Sequence, residues 1–295
     1  MSGDVLLTGG TGQVGLALRR LPWPDGAVLH APTRAELDLA DGASLERALR
    51  ARPWAAVISS GAFTAVDRAE EEVADAWRVN ALAPAILAAG CRRAGVPIVH
   101  LSTDYVFGGD GDRPYRETDP VGPMGVYGAS KEGGEGAVRT GTGRHAILRT
   151  AWVMGPDGRN FLRTMLRLAG ERDEVAIVSD QRGCPTSASD LAGAVRTVLL
   201  RMLADPAAPT GTFHVANGGE ATWDEVASAI FAGSARRGGA SARVRPIASA
   251  DYPTAARRPR ESRLATDKVA AAYGIRLRPW REALDEMLDG LLRPA

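Results

Sequence analysis

The strongest restriction on the fold lies near the N-terminus, where an apolar run meets a glycine-rich turn. The run DVLLT (4–8) is followed by TGGTGQVG, and LALRRL then continues with a helical pattern. Gly9, Gly12 and Gly15 follow a G-x-x-G-x-x-G spacing. Glycines at this spacing let the backbone turn tightly and let a pyrophosphate approach, while the helix N-terminus offers free N–H groups. The segment therefore predicts a strand, a phosphate-binding turn and a helix, the beginning of a dinucleotide-binding fold.

The remainder of the first half alternates between apolar runs and helical patterns. The apolar runs, which are typical of buried strands, are residues 4–8, 27–31, 55–59, 97–102 and 145–149. Helical patterns lie at 45–50 and 74–95, and Pro84 is expected to kink the longer one. Strands that alternate with helices indicate a parallel sheet covered on both faces. The predicted fold class is α/β, a Rossmann-type doubly wound parallel sheet with a smaller mixed α/β substrate-binding domain.

After about residue 150 the pattern loosens, which indicates a smaller domain partly interleaved with the first. Helical stretches near 187–204, 222–232 and 279–292 are joined by loops rich in Gly, Pro and Arg. The segment GSARRGGASAR (233–243) predicts a mobile surface loop.

Charge and composition exclude several classes of protein. The 36 Lys and Arg residues nearly balance the 35 Asp and Glu residues, so no nucleic-acid partner is expected. The chain has no apolar stretch long enough for a transmembrane helix, and MSGDVLLTGG lacks the basic start of a signal peptide. The two cysteines do not make a disulfide framework, so the expected location is the cytoplasm. No His, Cys, Asp or Glu cluster has metal-ligand spacing, and the four histidines, His30, His100, His145 and His214, are interpreted as core residues.

The end of the second predicted strand bears on which dinucleotide binds. Proteins that select NAD usually carry an acid at this point, which bonds the adenosine ribose. Here Arg34 follows the strand instead, where its guanidinium could meet the 2′-phosphate of NADP. Asp38 comes later and could accept a hydrogen bond from the adenine amine. The alternative for both residues is a solvated loop.

A tyrosine and a lysine four residues apart indicate the chemistry. In VYGASKEGG (126–134), one helical turn places Tyr127 and Lys131 on the same face. Free tyrosine has a pKa of about 10, and a nearby ammonium is expected to lower it. Thr103, at the end of a predicted strand, offers a hydroxyl to a substrate oxygen. The set suits hydride transfer between a nicotinamide and an alcohol or carbonyl, whereas the alternative for the pair alone is an ordinary surface helix.

With these motifs in place, the chain resembles an extended short-chain dehydrogenase/reductase, and more narrowly the dTDP-4-dehydrorhamnose reductase family. The resemblance runs nearly end to end. It is carried by TGGTGQVG, AFTAVDRAE, LSTDYVFGG, VYGASKEGGE, RTAWVMG, SDQRGCPTSASDLA, FHVANGGEATWDEVA and YPTAARRPRESRL.

The resemblance implies roles at the matching positions. It implies that Thr103, Tyr127 and Lys131 are catalytic, with Tyr127 protonating the C4 oxygen of a sugar. Tyr127 and Lys131 would also contact the cofactor. The other residues implied or expected to bind the cofactor are Gly9, Gly12, Gln13, Val14, Gly15, Arg34, Asp38, Leu39, Ala62, Phe63 and Thr64. The residues implied to face the sugar, beside Thr103, are Asp104, Tyr105 and Trp152.

The family also implies the reaction and its partners. The expected activity is NAD(P)H-dependent reduction of a dTDP-4-keto-6-deoxyhexose, namely dTDP-4-dehydro-L-rhamnose to dTDP-L-rhamnose, in deoxysugar biosynthesis. NADPH is the expected cofactor and NADH the alternative. A sugar nucleotide is the expected substrate, no nucleic acid or membrane partner is expected, and a homodimer is left open. The expected domains are 1–150 with about 186–215 for NAD(P), and 151–185 with 216–295 for the sugar nucleotide.

Several positions depart from the family pattern and leave the identity of the sugar open. They are Ser59, Gly125, Glu132, Gly133, Met154 and Glu261. Related dehydratases carry an Asp-Glu pair after the threonine, whereas this chain has Asp104 and Tyr105, so dehydration is disfavoured. An epimerase or a 4-ketoreductase of another deoxysugar stays an alternative. A non-catalytic nucleotide-binding subunit would not need all three of Thr103, Tyr127 and Lys131.

A basic run, ARRPRESR (256–263), is the expected contact for the substrate diphosphate. Arginine suits bidentate contact with phosphate oxygens, and Arg258 followed by Pro259 matches a family stretch. Arg258 is therefore predicted to bind the substrate, and the alternative is a solvated basic loop.

Overall fold

The structure is a computed structural model that describes residues 3–292 of the 295-residue chain. Its strands are β1 (Gly3–Thr8), β2 (Ala27–His30), β3 (Trp54–Ser59), β4 (Ile98–Thr103), β5 (His145–Thr150), β6 (Val153–Met154), β7 (Glu174–Val178), β8 (Arg182–Gly183), β9 (Thr186–Ser187), β10 (Gly211–His214), β11 (Ala221–Thr222) and β12 (Arg243–Ile247).

The helices are α1 (Gln13–Arg20), α2 (Gly42–Arg50), α3 (Val66–Glu71), α4 (Val73–Trp77), α5 (Ala83–Ala94), α6 (Val126–Gly141), α7 (Phe161–Ala169), α8 (Ala188–Ala204), α9 (Trp223–Ala235), α10 (Asp267–Tyr273) and α11 (Trp280–Leu292). A π-helical turn covers Arg78–Leu82, and 3-10 turns cover Asp104–Val106 and Ser249–Asp251. Within residues 3–292, none of these helices is both long and apolar enough to span a membrane.

A six-stranded parallel sheet forms the centre of the protein, in the order β10-β5-β4-β3-β1-β2. Side chains alternate between its two faces, as the pleat requires. Val5 and Leu7 pack in the core beneath α8, whereas Leu6 between them packs in the core formed with α2 and α5. Both faces are therefore covered by helices, and the predicted Rossmann-type α/β fold is confirmed.

The predicted kink in the helical stretch 74–95 takes the form of a π-helical turn. This turn, Arg78–Leu82, separates α4 from α5, and Pro84 lies in the first turn of α5. Proline has no N–H to donate to the preceding turn, so a regular α-helical ladder cannot run through this point. The interruption brings Asn80 inward, where its side chain is fully buried.

A third core lies between α7, α9 and α11 and the short parallel pair β7 and β12. It contains residues from both halves of the proposed sugar-nucleotide domain. Helix α10 packs in the core beneath α8, with β10 and α8, although the proposed division gives residues 267–273 to the sugar-nucleotide domain. We keep the division as a proposal; residues 1–2 and 293–295 at its two ends lie outside the described part of the chain.

Two sequence-based expectations are wrong in detail. The segment 233–243 is not a single loop, because α9 includes residues 233–235 and β12 begins at Arg243. Within it, Arg237 Nε donates to Asp289 Oδ1 at 2.7 Å. His30 is not a core residue, since its ring is partly exposed and its Nε2 lies 3.0 Å from Asp4 Oδ1. The other three histidines are buried, as predicted.

Candidate active site

The glycine-rich turn between β1 and α1 is held in close contact with the backbone around it. Gly9 has a φ of +73°, and a Cβ there would lie 2.5 Å from the backbone N of Gly61. A Cβ on Gly15 would lie 2.1 Å from Gly9 O. Gly12 N donates to Gly9 O at 3.0 Å, which closes the turn just before α1 begins at Gln13. The first N–H groups of α1 thus face a concave turn without side chains, where an anion can bind.

Gln13 connects this turn to β6 and to the start of α7. Its Oε1 accepts a hydrogen bond from Asn160 Nδ2 at 2.8 Å, and its Nε2 donates to Val153 O at 3.4 Å. Asn160 precedes α7 and caps it, accepting from Arg163 N. Gln13 and Val14, both implied to bind the cofactor, therefore occupy the first turn of α1 beside residues 153–160.

The segment after β2 carries Arg34 and Asp38 at the surface. The Arg34 side chain is 85% exposed, and its Nε lies 3.9 Å from Asp38 Oδ1. An exposed pair at this distance contributes little to stability, so the guanidinium can turn to another anion at small cost. Leu39 lies against the Gly61 backbone, which brings this segment next to the turn. The position fits the predicted adenosine side of a dinucleotide.

Residues 61–64 follow β3 and are fixed by Asn80. Phe63 N donates to Asn80 Oδ1 at 2.8 Å, and Asn80 Nδ2 donates to Phe63 O at 3.0 Å. Asn80 Nδ2 also lies 3.0 Å from Ser130 Oγ on α6. The sequence reasoning missed Asn80; the available signal was a polar residue inside an apolar helical stretch, four positions before a proline. This asparagine ties Ala62, Phe63 and Thr64 to the helix that carries Tyr127.

Helix α6 begins where the sequence predicted, and its first two turns carry Tyr127 and Lys131. Val126 N donates to Glu70 Oε1 at 2.8 Å, which fixes the start of the helix. A Cβ on Gly128 would lie 2.2 Å from Tyr105 O, so the small residue lets α6 lie directly on the 3-10 turn after β4. Lys131 is 3% exposed, and its Nζ donates to Leu101 O at 2.6 Å. Tyr127 and Lys131 thus lie at the carboxyl end of β4.

Thr103, the last residue of β4, completes this group. Its hydroxyl donates to Asp104 Oδ1 at 3.0 Å and accepts from Tyr105 N at 3.2 Å. The Tyr105 ring meets the Tyr127 ring edge-on, with 5.6 Å between centroids. The structure therefore brings Thr103, Asp104, Tyr105, Tyr127 and Lys131 together around the carboxyl end of β4.

The prediction that the pKa of Tyr127 is lowered is wrong. Burial raises the pKa of Tyr127 to about 12, although a hydrogen bond with the Thr103 side chain acts in the opposite direction. This burial outweighs the predicted lowering by Lys131, whose Nζ donates to Leu101 O. Burial in turn lowers the pKa of Lys131 to about 8, opposed by the charge of Glu135. At neutral pH the phenol is therefore protonated, which is the form that a proton donor needs.

Asp104 is a buried carboxyl group beside the threonine. Burial raises the pKa of Asp104 to about 6, with the hydroxyls of Ser262 and Thr103 acting to lower it. Since the Thr103 proton is directed at Asp104, the ionisation of Asp104 governs how freely that proton can turn to a substrate oxygen.

Trp152, two residues after β5, has a strained backbone. Its φ is +47°, which is a rare value for a bulky side chain. Its ring stacks on Trp223 with 3.6 Å between centroids and an angle of 6° between planes. A Cβ on Gly183 would lie 2.4 Å from Trp152 Cε2, so the ring also needs a glycine beside it. The sequence reasoning missed Trp223, for which the only signal was its place in the family stretch GGEATWDEVA.

Arg258 is fixed rather than solvated. Its Nη2 lies 2.7 Å from Asp67 Oδ2, its Nη1 lies 3.2 Å from Asp67 Oδ1, and its side chain is 23% exposed. The alternative of a solvated basic loop is therefore wrong for this residue. A cavity of about 640 Å³ lies beside it. The residues lining this cavity are Gly108, Gly109, Asp110, Gly111, Met124, Ser179, Asp180, Arg182, Thr222, Arg257, Arg258, Arg260 and Glu261.

Residues 3–292 contain no group of three or more His, Cys, Asp or Glu side chains placed to hold a metal ion. Glu261, one of the departures from the family pattern, accepts from Arg263 N and Nε at 2.8 Å. Its carboxylate is therefore engaged within the chain at the rim of the cavity.

Comparison with known proteins gives consistent matches over nearly the full length. The family model described as the RmlD substrate binding domain matches residues 3–293. A dTDP-4-dehydrorhamnose reductase from Sinorhizobium fredii is 43% identical over 97% of this chain and 97% of its own, and one from Streptomyces griseus is 42% identical over 97% and 93%. The solved dTDP-4-dehydrorhamnose reductase from Bacillus anthracis in complex with NADP superposes with a TM-score of 0.91 at 30% identity, covering 98% of this chain and 100% of that one.

Proposed function

Because the chain belongs to the RmlD substrate binding domain family, that of the dTDP-4-dehydrorhamnose reductases, we propose that it reduces dTDP-4-dehydro-L-rhamnose to dTDP-L-rhamnose with NADPH. The observation that carries this proposal is the grouping of Thr103, Tyr127 and Lys131 at the carboxyl end of β4. Ligands of open α/β sheets bind at this edge, and the glycine-rich turn lies at the same edge of β1.

The residues around the turn fit a dinucleotide. The concave turn at Gly9, Gly12 and Gly15, closed against Gly61, leaves space that a Cβ would fill. The N–H groups at Gln13 and Val14 would bind the diphosphate, and Asp38 and Leu39 would lie along the adenosine. Ala62, Phe63 and Thr64 would follow the nicotinamide side. When bound, NADPH supplies the hydride that reaches C4.

Tyr127 would supply the proton. Its hydroxyl is held in the protonated form by burial, so it can donate to the C4 oxygen as that oxygen becomes an alkoxide. Thr103 would hold the same oxygen through its hydroxyl. Lys131, as a buried ammonium, would stabilise the phenolate that remains on Tyr127 and would also contact the nicotinamide ribose.

The sugar and its diphosphate would be bound on the other side of Tyr127. Asp104 and Tyr105 approach the reacting group from the 3-10 turn, and Trp152 offers an aromatic face fixed by its stack on Trp223. Arg258 would contact the diphosphate at the edge of the cavity. Of the departures from the family pattern, Glu261 lines this cavity, whereas Met154 is buried in the core between α7, α9 and α11. The choice of deoxysugar therefore needs a direct test.

The test is a panel of dTDP-4-keto-6-deoxyhexoses assayed with NADPH and with NADH, with the product identified by NMR. The proposal expects NADPH consumption that matches formation of dTDP-L-rhamnose from the 4-dehydro-L-rhamnose substrate. Consumption with only a different 4-keto sugar would reassign the substrate within the family. Interconversion of sugars with no net use of NADPH would indicate an epimerase and reject the reductase proposal.

Arg34→Ala should raise the KM for NADPH by about 10-fold, the scale of one charge-assisted hydrogen bond. The KM for NADH should not change, because NADH has no 2′-phosphate for the guanidinium. Initial rates with each cofactor measure this difference. Arg47→Ala removes a comparably exposed arginine from α2, paired with Asp41 at 3.6 Å, and should alter neither KM. Equal changes for the two cofactors would reject the phosphate contact.

Arg258→Ala should raise the KM for the sugar nucleotide by about 10-fold or more, which again corresponds to the loss of one charge-assisted hydrogen bond. The KM for NADPH should stay the same. Since the variant leaves Asp67 without its arginine, the double variant Arg258→Ala and Asp67→Asn serves as a second test and should show the same increase. Arg201→Ala, which removes an exposed arginine paired with Asp205, is the control. An unchanged KM in both Arg258 variants would show that this residue has only a structural role.

The assembly and location are also part of the proposal. Cys91 and Cys184 are both buried and form no disulfide, which suits the reducing cytoplasm. A homodimer stays open, and light scattering on the purified protein would decide between one copy and two.

A further inference from the structure

Glu135, which the mechanism above does not use, lies one helical turn beyond Lys131 on α6 and is fully buried. Its Oε1 accepts from Ser102 Oγ at 2.6 Å and from Arg149 Nε at 2.8 Å. Its Oε2 accepts from Arg149 Nη2 at 2.7 Å and from Arg139 Nη1 at 3.0 Å. One carboxylate therefore joins β4, β5 and α6 directly beneath the proposed catalytic group.

This ion pair is costly to bury. Burial acts to raise the pKa of Glu135, but the hydrogen bonds and charge of Arg149 outweigh it, so the pKa lies below its usual value and the group is charged. Arg149 is itself 3% exposed, and its guanidinium lies 5.0 Å from the Phe107 ring centre. A well-packed apolar pair in such a place is often as stable as a buried ion pair or more so. Stability alone is therefore a weak reason for a charge here.

Glu135 and Lys131 lie one turn apart on α6 and bind adjacent residues of β4. Ser102 Oγ donates to Glu135 Oε1 and Lys131 Nζ donates to Leu101 O, each at 2.6 Å, so the carboxylate lies close to the ammonium. Burial favours the neutral amine of Lys131, and Glu135 is the carboxylate that opposes this effect. His100 on β4 adds no positive charge that would oppose the ammonium, because burial holds its pKa well below the usual value and it is neutral. The other charged or titratable groups on α6 and on the elements packed against it are Tyr127, Glu132 and Arg139 of α6, Asp67, Arg68, Glu70 and Glu71 of α3, Asp75 of α4, Arg78 of the π-helical turn, Cys91, Arg92 and Arg93 of α5, Asp104 and Tyr105 of the 3-10 turn, and His145 and Arg149 of β5.

We propose that Glu135, held in place by Arg149 and Ser102, is a positioning residue that keeps Lys131 in its charged form and directed at the carboxyl end of β4. The inference rests on the proposed function for its catalytic consequence, because a neutral Lys131 could not stabilise the phenolate left on Tyr127. Its electrostatic part concerns this chain alone and can be tested without any sugar substrate.

The sign of the pH effect follows directly. Lys131 loses its proton as the pH rises through its pKa, so kcat/KM should decrease on the alkaline side. Removing the negative charge at residue 135 makes the ammonium less stable, so its pKa decreases further. The alkaline decrease of kcat/KM should then begin at a lower pH, by about one unit or more for a charge this close in a buried site.

The sequence offers a direct measurement, because Lys131 and Lys268 are its only two lysines. Protein labelled with 13C at the lysine Cε gives two signals that can be followed through a pH titration, and Lys268→Arg assigns them. Lys268 is exposed and serves as the internal reference. In Glu135→Gln, the pKa of Lys131 should fall by about one unit or more while that of Lys268 stays the same.

Glu132→Gln is the matched control. Glu132 is next to Lys131 in sequence but partly exposed, and it pairs with Arg139 at 3.4 Å. This variant should leave both the Lys131 titration and the alkaline limb of kcat/KM in place. An unchanged Lys131 pKa in Glu135→Gln, or an equal shift in Glu132→Gln, would overturn the proposal.

A second variant keeps the proposal testable if Glu135→Gln does not fold. Glu135→Gln leaves the Arg149 charge buried without its partner, so Glu135→Gln with Arg149→Met removes both charges. Because loss of the Arg149 cation favours the Lys131 ammonium, the pKa of Lys131 should still fall in the double variant, but by less than in Glu135→Gln. If Lys131 shifts as expected but no dTDP-4-keto sugar is reduced, the electrostatic inference stands and the proposed function fails. If the sugar is reduced but the pKa of Lys131 is unchanged in Glu135→Gln, the proposed function stands and the electrostatic inference fails.

Discussion

Tyr127→Phe is expected to lower kcat by about 100-fold or more, the usual contribution of a positioned proton donor. The substitution removes only the hydroxyl, and the ring keeps its edge-on contact with Tyr105. The Kd for NADPH should therefore change little. Because burial raises the pKa of Tyr127 to about 12, the wild-type enzyme should retain its proton donor through neutral pH and lose it only in strong alkali.

Steady-state turnover with the sugar nucleotide and fluorescence titration with NADPH measure the two quantities separately. Tyr252→Phe is the control, because Tyr252 is 60% exposed and should give wild-type values. Near-normal turnover in Tyr127→Phe would mean that another group donates the proton. A loss of NADPH binding equal to the loss of turnover would mean that the hydroxyl acts in binding rather than in proton transfer.

Gly15→Ala is expected to have the second large effect, on both folding and cofactor binding. Its Cβ would lie 2.1 Å from Gly9 O and 2.7 Å from the Gly10 Cα, and these backbone atoms cannot rotate away. Overpacking of this kind costs about 2 kcal/mol or more of unfolding free energy, which corresponds to a Tm roughly 4–6 °C lower. Opening the turn also displaces the N–H groups at the start of α1, so the Kd for NADPH should rise about 100-fold.

Gly12→Ala separates the two effects. A Cβ at Gly12 meets only Gly9 O, at 3.4 Å, and its φ of −79° suits any residue. We therefore expect its Tm to stay near the wild-type value while its NADPH affinity falls, because the methyl group would lie where the diphosphate approaches. A Gly15→Ala protein with wild-type Tm and wild-type affinity would contradict the close-packed turn.

The central sheet could be predicted because its strands are continuous apolar runs. Strands β4 and β5 are buried at every residue, and such strands leave a clear signal in sequence. The short strands of the second half gave no such signal. Strand β12 is largely exposed and carries arginine at alternate positions, so its sequence predicts a loop, although it pairs with β7 through all five residues.

The site was predictable where it depends on spacing along one element. Tyr127 and Lys131 share a helical face, and that follows from their separation alone. The pKa of Tyr127 was not predictable, because it depends on burial by elements far away in sequence. Asn80, Trp223 and Glu135 were missed for the same reason: their partners, such as Phe63, Trp152 and Arg149, are distant in sequence and adjacent only after folding.

The position of β10 in the sheet also affects how the sheet forms while the chain is being synthesised. Strand β10 pairs with β5 in parallel, from Gly211 opposite Ala146 to His214 opposite Arg149. The ribosome adds roughly 5–20 residues per second, so several seconds separate the completion of β5 from that of its outer neighbour. During that interval β5 is the edge strand of the nascent sheet, and its N–H and C=O groups that face away from β4 have no partner, which makes this edge a template for pairing with other chains. Chaperone binding at this stage of translation would protect β5 until residues 211–214 emerge.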